Sequence, residues 1–202
     1  ISGCTQEGTG HVEDKTPGGT PTPPAETLMD GAAMDAYAKE QAEKAAAGVW
    51  FLAGGSHNSV AIEMKDHMMV VESPLYDGRA AAMLAEVKKL ANGKPIRLVI
   101  NSHHHFDHSG GLRTAVAEGA TLVTSELAKP YFEQILANPN RLSPDAMEKS
   151  GRKAVVTSVN GKRSFTDGER LVDVHFIEGS VHARGFMMVY LPAEKILIQA
   201  DA

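Results

Sequence analysis

From Gly48 onward the chain alternates short apolar runs with polar turns. Val49 to Ala53, Ser59 to Met64 and Met68 to Glu72 are separated by Gly54-Gly55-Ser56-His57-Asn58 and by Lys65-Asp66-His67, a spacing that predicts three strands joined by hairpins. Ala80 to Ala91 then sets Met83, Leu84, Val87, Leu90 and Ala91 at helical spacing, and Asn92-Gly93 supplies the stop. Ile96 to Ile100 is apolar except for Arg97 and predicts a largely buried strand. Beyond it, Ser109 is placed to cap a helix running to about Glu118, Thr121 to Ser125 reads as a strand, and Leu127 to Ala137 resumes helical spacing. A further helix is expected after Ser143-Pro144. The remainder reads as strands: Ala154 to Val159, Ser164-Phe165, Leu171 to Ile177, Phe186 to Leu191 and Lys195 to Ala200, punctuated by Gly161, Asp167-Gly168 and Pro192. Strands, strand-helix alternation and strands again imply an α/β domain whose helices cover sheets.

The first 47 residues follow a different pattern. Residues 5 to 28 are rich in Gly, Thr and Pro, with the run Thr16-Pro-Gly-Gly-Thr-Pro-Thr-Pro-Pro24, and carry no periodic apolar face, so 1–28 is expected to be a disordered arm. Residues 29–47 are Ala-rich with scattered Glu, Lys and Gln, which predicts a loosely docked helix or a linker. The folded domain is therefore expected over 48–202.

Composition narrows the chemistry. At 202 residues and 43% hydrophobic, the chain has apolar material for one domain core. A net charge of -5 with no Lys/Arg run argues against a nucleic-acid partner and leaves small-molecule substrates open. No apolar stretch approaches the roughly 18–20 residues of a membrane span. Oligomeric state is not legible. Cys4 is the single cysteine, which excludes a disulfide framework and thiolate-rich zinc sites, so metal ligands have to be His and carboxylates. Ile1-Ser2-Gly3-Cys4 has the form of a bacterial lipoprotein signal end, a short match that leaves both the cell envelope or periplasm and the cytoplasm open as locations.

Directly after the buried strand comes Asn101-Ser-His-His-His-Phe-Asp-His-Ser-Gly-Gly111. Four potential ligands, His103, His105, Asp107 and His108, fall within six positions of a loop at a strand's carboxyl end. Imidazoles with a carboxylate suit Zn²⁺, and also Fe²⁺ or Mn²⁺. These residues match His-x-His-x-Asp-His at every defining position, and over about residues 48–202 the chain resembles the metallo-β-lactamase superfamily of metal-dependent hydrolases.

The resemblance implies a four-layer αβ/βα sandwich and a pair of zinc ions. It assigns His103, His105 and a distant His to one ion, and Asp107, His108, a bridging Asp and a last downstream His to the other. His104 and Phe106 fall at variable positions. For the distant His, His182 in Gly179-Ser-Val-His-Ala-Arg-Gly185 is preferred to His175, which lies within an alternating strand. Asp201, ending Lys195-Ile-Leu-Ile-Gln-Ala-Asp201, takes the bridging place. With Asp and not Cys there, the site is more similar to glyoxalase II and lactonases than to the zinc β-lactamases. The chemistry implied is cleavage of an ester, lactone, thioester or lactam by a metal-held hydroxide, with Asp107 as the catalytic carboxylate. Alternatives are a mononuclear-iron oxygenase resembling persulfide dioxygenases, and a non-catalytic metal-binding module. Glu72 stands where a supporting Asp is usual, or is an ordinary strand-end residue. His57 and Asn58 are expected in a solvated hairpin turn. Since the family's last His and further strands and helices would follow Ala202, the resemblance implies a C-terminal part beyond this sequence and a second metal site lacking one ligand.

Overall fold

A computed structural model of the chain describes residues 42–202. The expected arm over 1–28, Cys4, and residues 29–41 lie outside the described residues. Among the described residues eleven strands and five helices follow one another as β1 (Ala42–Ala46), β2 (Val49–Leu52), β3 (Ser59–Glu63), β4 (Met68–Val71), α1 (Asp77–Leu90), β5 (Ile96–Ile100), α2 (Phe106–Ser109), α3 (Leu112–Ala117), β6 (Thr121–Ser125), α4 (Lys129–Ala137), α5 (Ala146–Ser150), β7 (Val156–Val159), β8 (Lys162–Thr166), β9 (Leu171–Phe176), β10 (Met187–Leu191) and β11 (Ile196–Ile198).

The strands form two sheets, one of seven in the order β1-β2-β3-β4-β5-β6-β7 and one of four in the order β11-β10-β9-β8. In the large sheet β1 to β4 run antiparallel, as their short turns require. From β4 to β7 every pairing is parallel, so each connection has to cross over, and the helices are those crossovers. The helices pack Met83, Leu84, Val87, Leu112, Val116, Phe132 and Leu136 on one face of this sheet. On its other face Ile62, Met69, Val71, Ile100 and Val123 meet Val172, Val174, Met187, Val189 and Leu191 of the small sheet. Strand β4 is buried at all four positions because it is covered from both sides. Arg170, in the β8–β9 turn, ties the sheets together by donating to the Gly48, Glu63 and Ala47 carbonyls and pairing with Glu194.

Helix, large sheet and small sheet make three of the four expected layers. Among the described residues no helix covers the outer face of the small sheet, where Leu171 and Leu197 are exposed. Two local expectations are corrected. The end of the Ala-rich segment, expected as helix or linker through residue 47, is a strand from Ala42: pairing with β2 in the register Ala42↔Leu52 outweighs alanine's intrinsic helix preference. The helix expected from Ser109 to Glu118 is confined to α3 (Leu112–Ala117), and Ser109 does not cap it but closes the preceding α2, donating its hydroxyl to the His105 carbonyl at 2.8 Å. Between the two helices only glycine fits at 110 and 111. A Cβ on Gly110 would lie 1.8 Å from the Leu75 carbonyl oxygen, and one on Gly111 2.4 Å from the Ala80 Cβ.

The second helix expected after Pro144 is α5, capped by Asp145, whose carboxylate accepts from the Glu148 amide at 2.8 Å and is gripped by Arg113 of α3. Burial alone would raise the Asp145 pKa, but the Arg113 hydrogen bond, the Glu148 amide and Asn140 outweigh it and hold it down at about 2. A depressed carboxylate pKa stabilises the fold above the ordinary value of 3.8, and that share is lost as pH falls through about 2. Asp145→Ala is expected to cost about 2 kcal/mol in urea unfolding at pH 7, and the gap to the unchanged protein should narrow as pH falls from the ordinary carboxylate range towards 2.

Candidate metal centre

The ends of β4, β5 and β6, the β9–β10 loop and the segment after β11 meet at one edge of the sandwich, where parallel strands leave their carboxyl ends open to ligands. Strand β5 delivers Asn101 to His103 fully or almost fully buried. The motif loop is fastened to the β4–α1 loop by Leu75 N–H to the Asp107 carbonyl and Gly111 N–H to the Ser73 carbonyl, and across to β10 by Met187 N–H to the Ser102 carbonyl. Asn101 also donates its side-chain amide to the His108 carbonyl at 3.1 Å.

Three imidazoles face one point. His103 Nε2 lies 3.0 Å from His105 Nδ1 and 3.1 Å from His182 Nε2. His182 comes from the β9–β10 loop, which approaches β6 closely: a Cβ on Gly185, at φ +85°, would lie 2.5 Å from Ser125 Oγ. His175, the competitor, is in β9 opposite Met188 and Lys162 and belongs to the small sheet's ladder. Burial, reinforced by His108, His105 and His182, lowers the His103 pKa to about 4, so its ring is neutral at ordinary pH. Its other nitrogen is oriented by Ser102 Oγ at 2.9 Å.

A second cluster adjoins the first. His108 Nδ1 meets Glu72 Oε2 at 3.1 Å, and a carboxylate only accepts, so Nδ1 carries the proton and Nε2 of the neutral ring carries the lone pair. That Nε2 is 3.1 Å from Asp201 Oδ2 and 3.6 Å from Asp107 Oδ2. Burial would lower the His108 pKa, but Glu72, Asp201 and Asp107 outweigh it and raise it. Asp201 Oδ2 is also 3.2 Å from His182 Nε2, so a single carboxylate oxygen faces both clusters. Lone pairs of neutral imidazoles and carboxylates converging at these distances repel one another unless a cation or protons lie among them, and the donor set fits divalent metal ions.

All six motif-derived residues, His103, His105, Asp107, His108, His182 and Asp201, are thus brought together. His104 packs beside Tyr131 and His105, and Phe106 is exposed. Of the two roles weighed for Glu72, support of the motif loop is the one seen: besides His108, its carboxylate accepts from the Ser102 amide at 2.6 Å. It does so from a left-handed backbone, φ +69°, that a side chain other than glycine seldom adopts. Glu72→Gln puts an amide NH2 against one of two donors, and is expected to destabilise the fold by about 2 kcal/mol in thermal or urea unfolding. The expectation of a solvated turn for His57 is corrected. Its ring is 24% exposed, with Nε2 3.0 Å from Asp107 Oδ2, because Arg79 of α1 donates to the His57 carbonyl and holds the hairpin loop over the motif. Ser102 and Arg79 were not singled out by sequence; Ser102's adjacency to the motif was a signal, whereas nothing local marks Arg79.

Two hollows flank the centre. One of about 380 Å³ lies between His57, Phe51 and Val60 and the end of β11, reaching His108 and Asp201. The other, about 550 Å³, is walled by His104, His105, Leu127, Tyr131, His182 and Arg184. A third hollow, about 620 Å³ beside Arg113, Met147 and Arg152, is lined by none of these histidines.

The chain matches the profile of the Metallo-beta-lactamase superfamily over residues 52–202, about three quarters of its length. It belongs to that superfamily. A search of curated proteins returned no match. Among solved structures the chain is similar to a metallo-beta-lactamase from Pontibacter korlensis (21% identity, TM-score 0.58, covering 77% of this chain and 68% of that one). It is also similar to the DIM-1 metallo-beta-lactamase (17%, 0.59, 80% and 72%) and to a Cronobacter sakazakii enzyme with a HARLDQ motif (20%, 0.56, 81% and 63%). At these identities the likeness is one of fold, and this superfamily member carries the mixed α/β sandwich expected from the motif. Membership supports metal-dependent chemistry of the hydrolase kind. No described helix is long and apolar enough to cross a membrane.

Proposed function

We propose that the protein is a metal-dependent hydrolase that cleaves an ester, lactone, thioester or lactam bond in a small molecule, using a pair of zinc ions. The observation that carries this reading is the meeting of the two ligand clusters at Asp201, whose Oδ2 lies 3.1 Å from His108 Nε2 and 3.2 Å from His182 Nε2. In this reading His103, His105 and His182 hold one ion, Asp107 and His108 the other, and Asp201 both. Bound cations of this kind supply Lewis acidity towards a carbonyl oxygen and bring a water's pKa towards neutrality.

The residues of the chain supply the rest. His103, neutral at ordinary pH, offers a lone pair without first losing a proton. Glu72 fixes the tautomer of His108, and Ser102 orients the ring of His103, which keeps their Nε2 atoms aimed inward. Burial would raise the Asp107 pKa, but hydrogen bonding from His57 and the nearby His108 outweigh it and lower it, so the carboxylate stays ionised. Asp107 is therefore a base at neutral pH, able to orient the attacking water, take its proton and return it to the leaving group. The flanking hollows give the acyl and leaving groups room on opposite sides of the histidines.

The test is hydrolysis of a panel of esters, lactones, thioesters and β-lactams by protein stripped of metal and then reloaded with zinc, manganese or iron. Turnover of one class that vanishes on stripping and returns on reloading is expected. No hydrolysis under any loading, or oxygen uptake with a persulfide under iron, would contradict it.

A further inference from the structure

Resting on the metal-hydrolase reading, we propose that His57 is a direct ligand of the second metal ion, so that the β2–β3 hairpin loop contributes to the centre and does not merely overhang it. The superfamily's motif assigns no ligand to this loop. Three observations carry the inference. First, His57 Nε2, Asp107 and His108 each present a ligand atom within 4.8 Å of one another, the same closeness as among His103, His105 and His182. The His57 and His108 rings stand edge to face with centroids 5.4 Å apart.

Second, the ring is oriented from behind as metal-bound imidazoles are. In one tautomer Nε2 donates to Asp107 Oδ2 at 3.0 Å; in the other, Nδ1 donates to Ser56 Oγ at 2.8 Å and the lone pair lies on Nε2. With the latter tautomer two lone pairs face each other, and a cation between them removes the conflict. Third, the loop is built to hold this pose. Arg79 Nη2 donates to the His57 carbonyl, Asn58 Oδ1 accepts from the Gly54 amide at 3.0 Å, and Gly54 has no room for a side chain, since a Cβ there would lie 1.8 Å from Arg79 Nη2 and 2.2 Å from the His57 oxygen. With His57, the second site gathers two imidazoles and two carboxylates, a donor set suited to zinc.

The opposing role is that His57 only hydrogen-bonds Asp107 and positions it. His57→Gln separates the two, since glutamine keeps a donor for Asp107 but is a poor zinc ligand, and His57→Asp restores a ligand of another type. Zinc affinity and stoichiometry of the full chain are measured by competition with a chromophoric chelator, and the Co²⁺-loaded protein is followed by its visible absorption. The unchanged protein is expected to load two ions. His57→Gln should keep the first ion's affinity and lose more than about 100-fold at the second, beyond the roughly 10–100-fold that an outer-sphere partner brings. The Co²⁺ bands of the second ion should shift, and His57→Asp should recover most of the loss. A smaller loss in His57→Gln, or unaltered Co²⁺ bands, overturns the inference and leaves the hydrolase reading standing, whereas an unchanged protein that loads one ion overturns the inference together with the two-ion part of that reading. If the unchanged protein binds no metal at all, both fall.

Discussion

Asp107→Ala is expected to lower kcat/KM by at least about a thousandfold, on the order of 4 kcal/mol, while thermal stability changes by less than about 1 kcal/mol. The separation follows from where the residue sits. Its side chain is 35% exposed and supports no apolar packing, and the bond that fastens the motif loop here, Leu75 N–H to the Asp107 carbonyl, belongs to the backbone and survives the substitution. What is lost is an ionised carboxylate facing His57 and His108, hence both the proposed ligand and the proposed base. Asp107→Asn, which keeps shape and loses charge, should fall nearly as far. The measurement is steady-state turnover on whichever bond class proves active, beside a melting curve. Retained turnover, or unfolding, would count against the assigned role.

His182→Ala is the second large effect, and its control is internal. The residue is exposed on a loop, so its removal leaves the core alone, but its Nε2 meets His103 at 3.1 Å and Asp201 at 3.2 Å. Affinity for the first zinc ion is expected to fall by more than about 100-fold, with turnover following. His175→Ala, which changes a residue of the β9 ladder, should leave both unchanged. Chelator competition on the two variants decides between the two histidines that the sequence offered for this place. Equal behaviour of the pair, or loss in His175→Ala alone, would reverse the assignment.

Local pattern carried most of the fold. Ile96–Ile100 is strand β5 with the boundaries its apolar run predicted, and the motif follows it at the sheet's carboxyl edge because a buried parallel strand has to end in a loop there. His182 was legible through its flanking glycines, and Gly185 indeed occupies a left-handed turn against Ser125. Ala42–Ala46 was not, since five residues of high helix propensity pair with β2 for tertiary reasons that no short window records. Asp201 could be read from its place at the end of an apolar run, whereas its equal approach to two clusters depends on the small sheet's packing. Glu72 carries its bonds from a positive φ that its residue type argues against. The position of His57 depends on Arg79, 22 residues away in α1, and its contact spans 50 residues to Asp107. Such long-range contacts have no sequence period, and they are where the site departed from expectation.

The central claim is that these side chains form a binuclear metal centre, and anomalous diffraction at the zinc edge from crystals of the zinc-loaded protein tests it most directly. The account predicts two peaks: one at about 2.0–2.1 Å from His103 Nε2, His105 Nδ1 and His182 Nε2, and one beside Asp107 and His108, with Asp201 between them. A density with a single peak, one without a peak among the three imidazoles, or one with His182 turned away from His103, would contradict it.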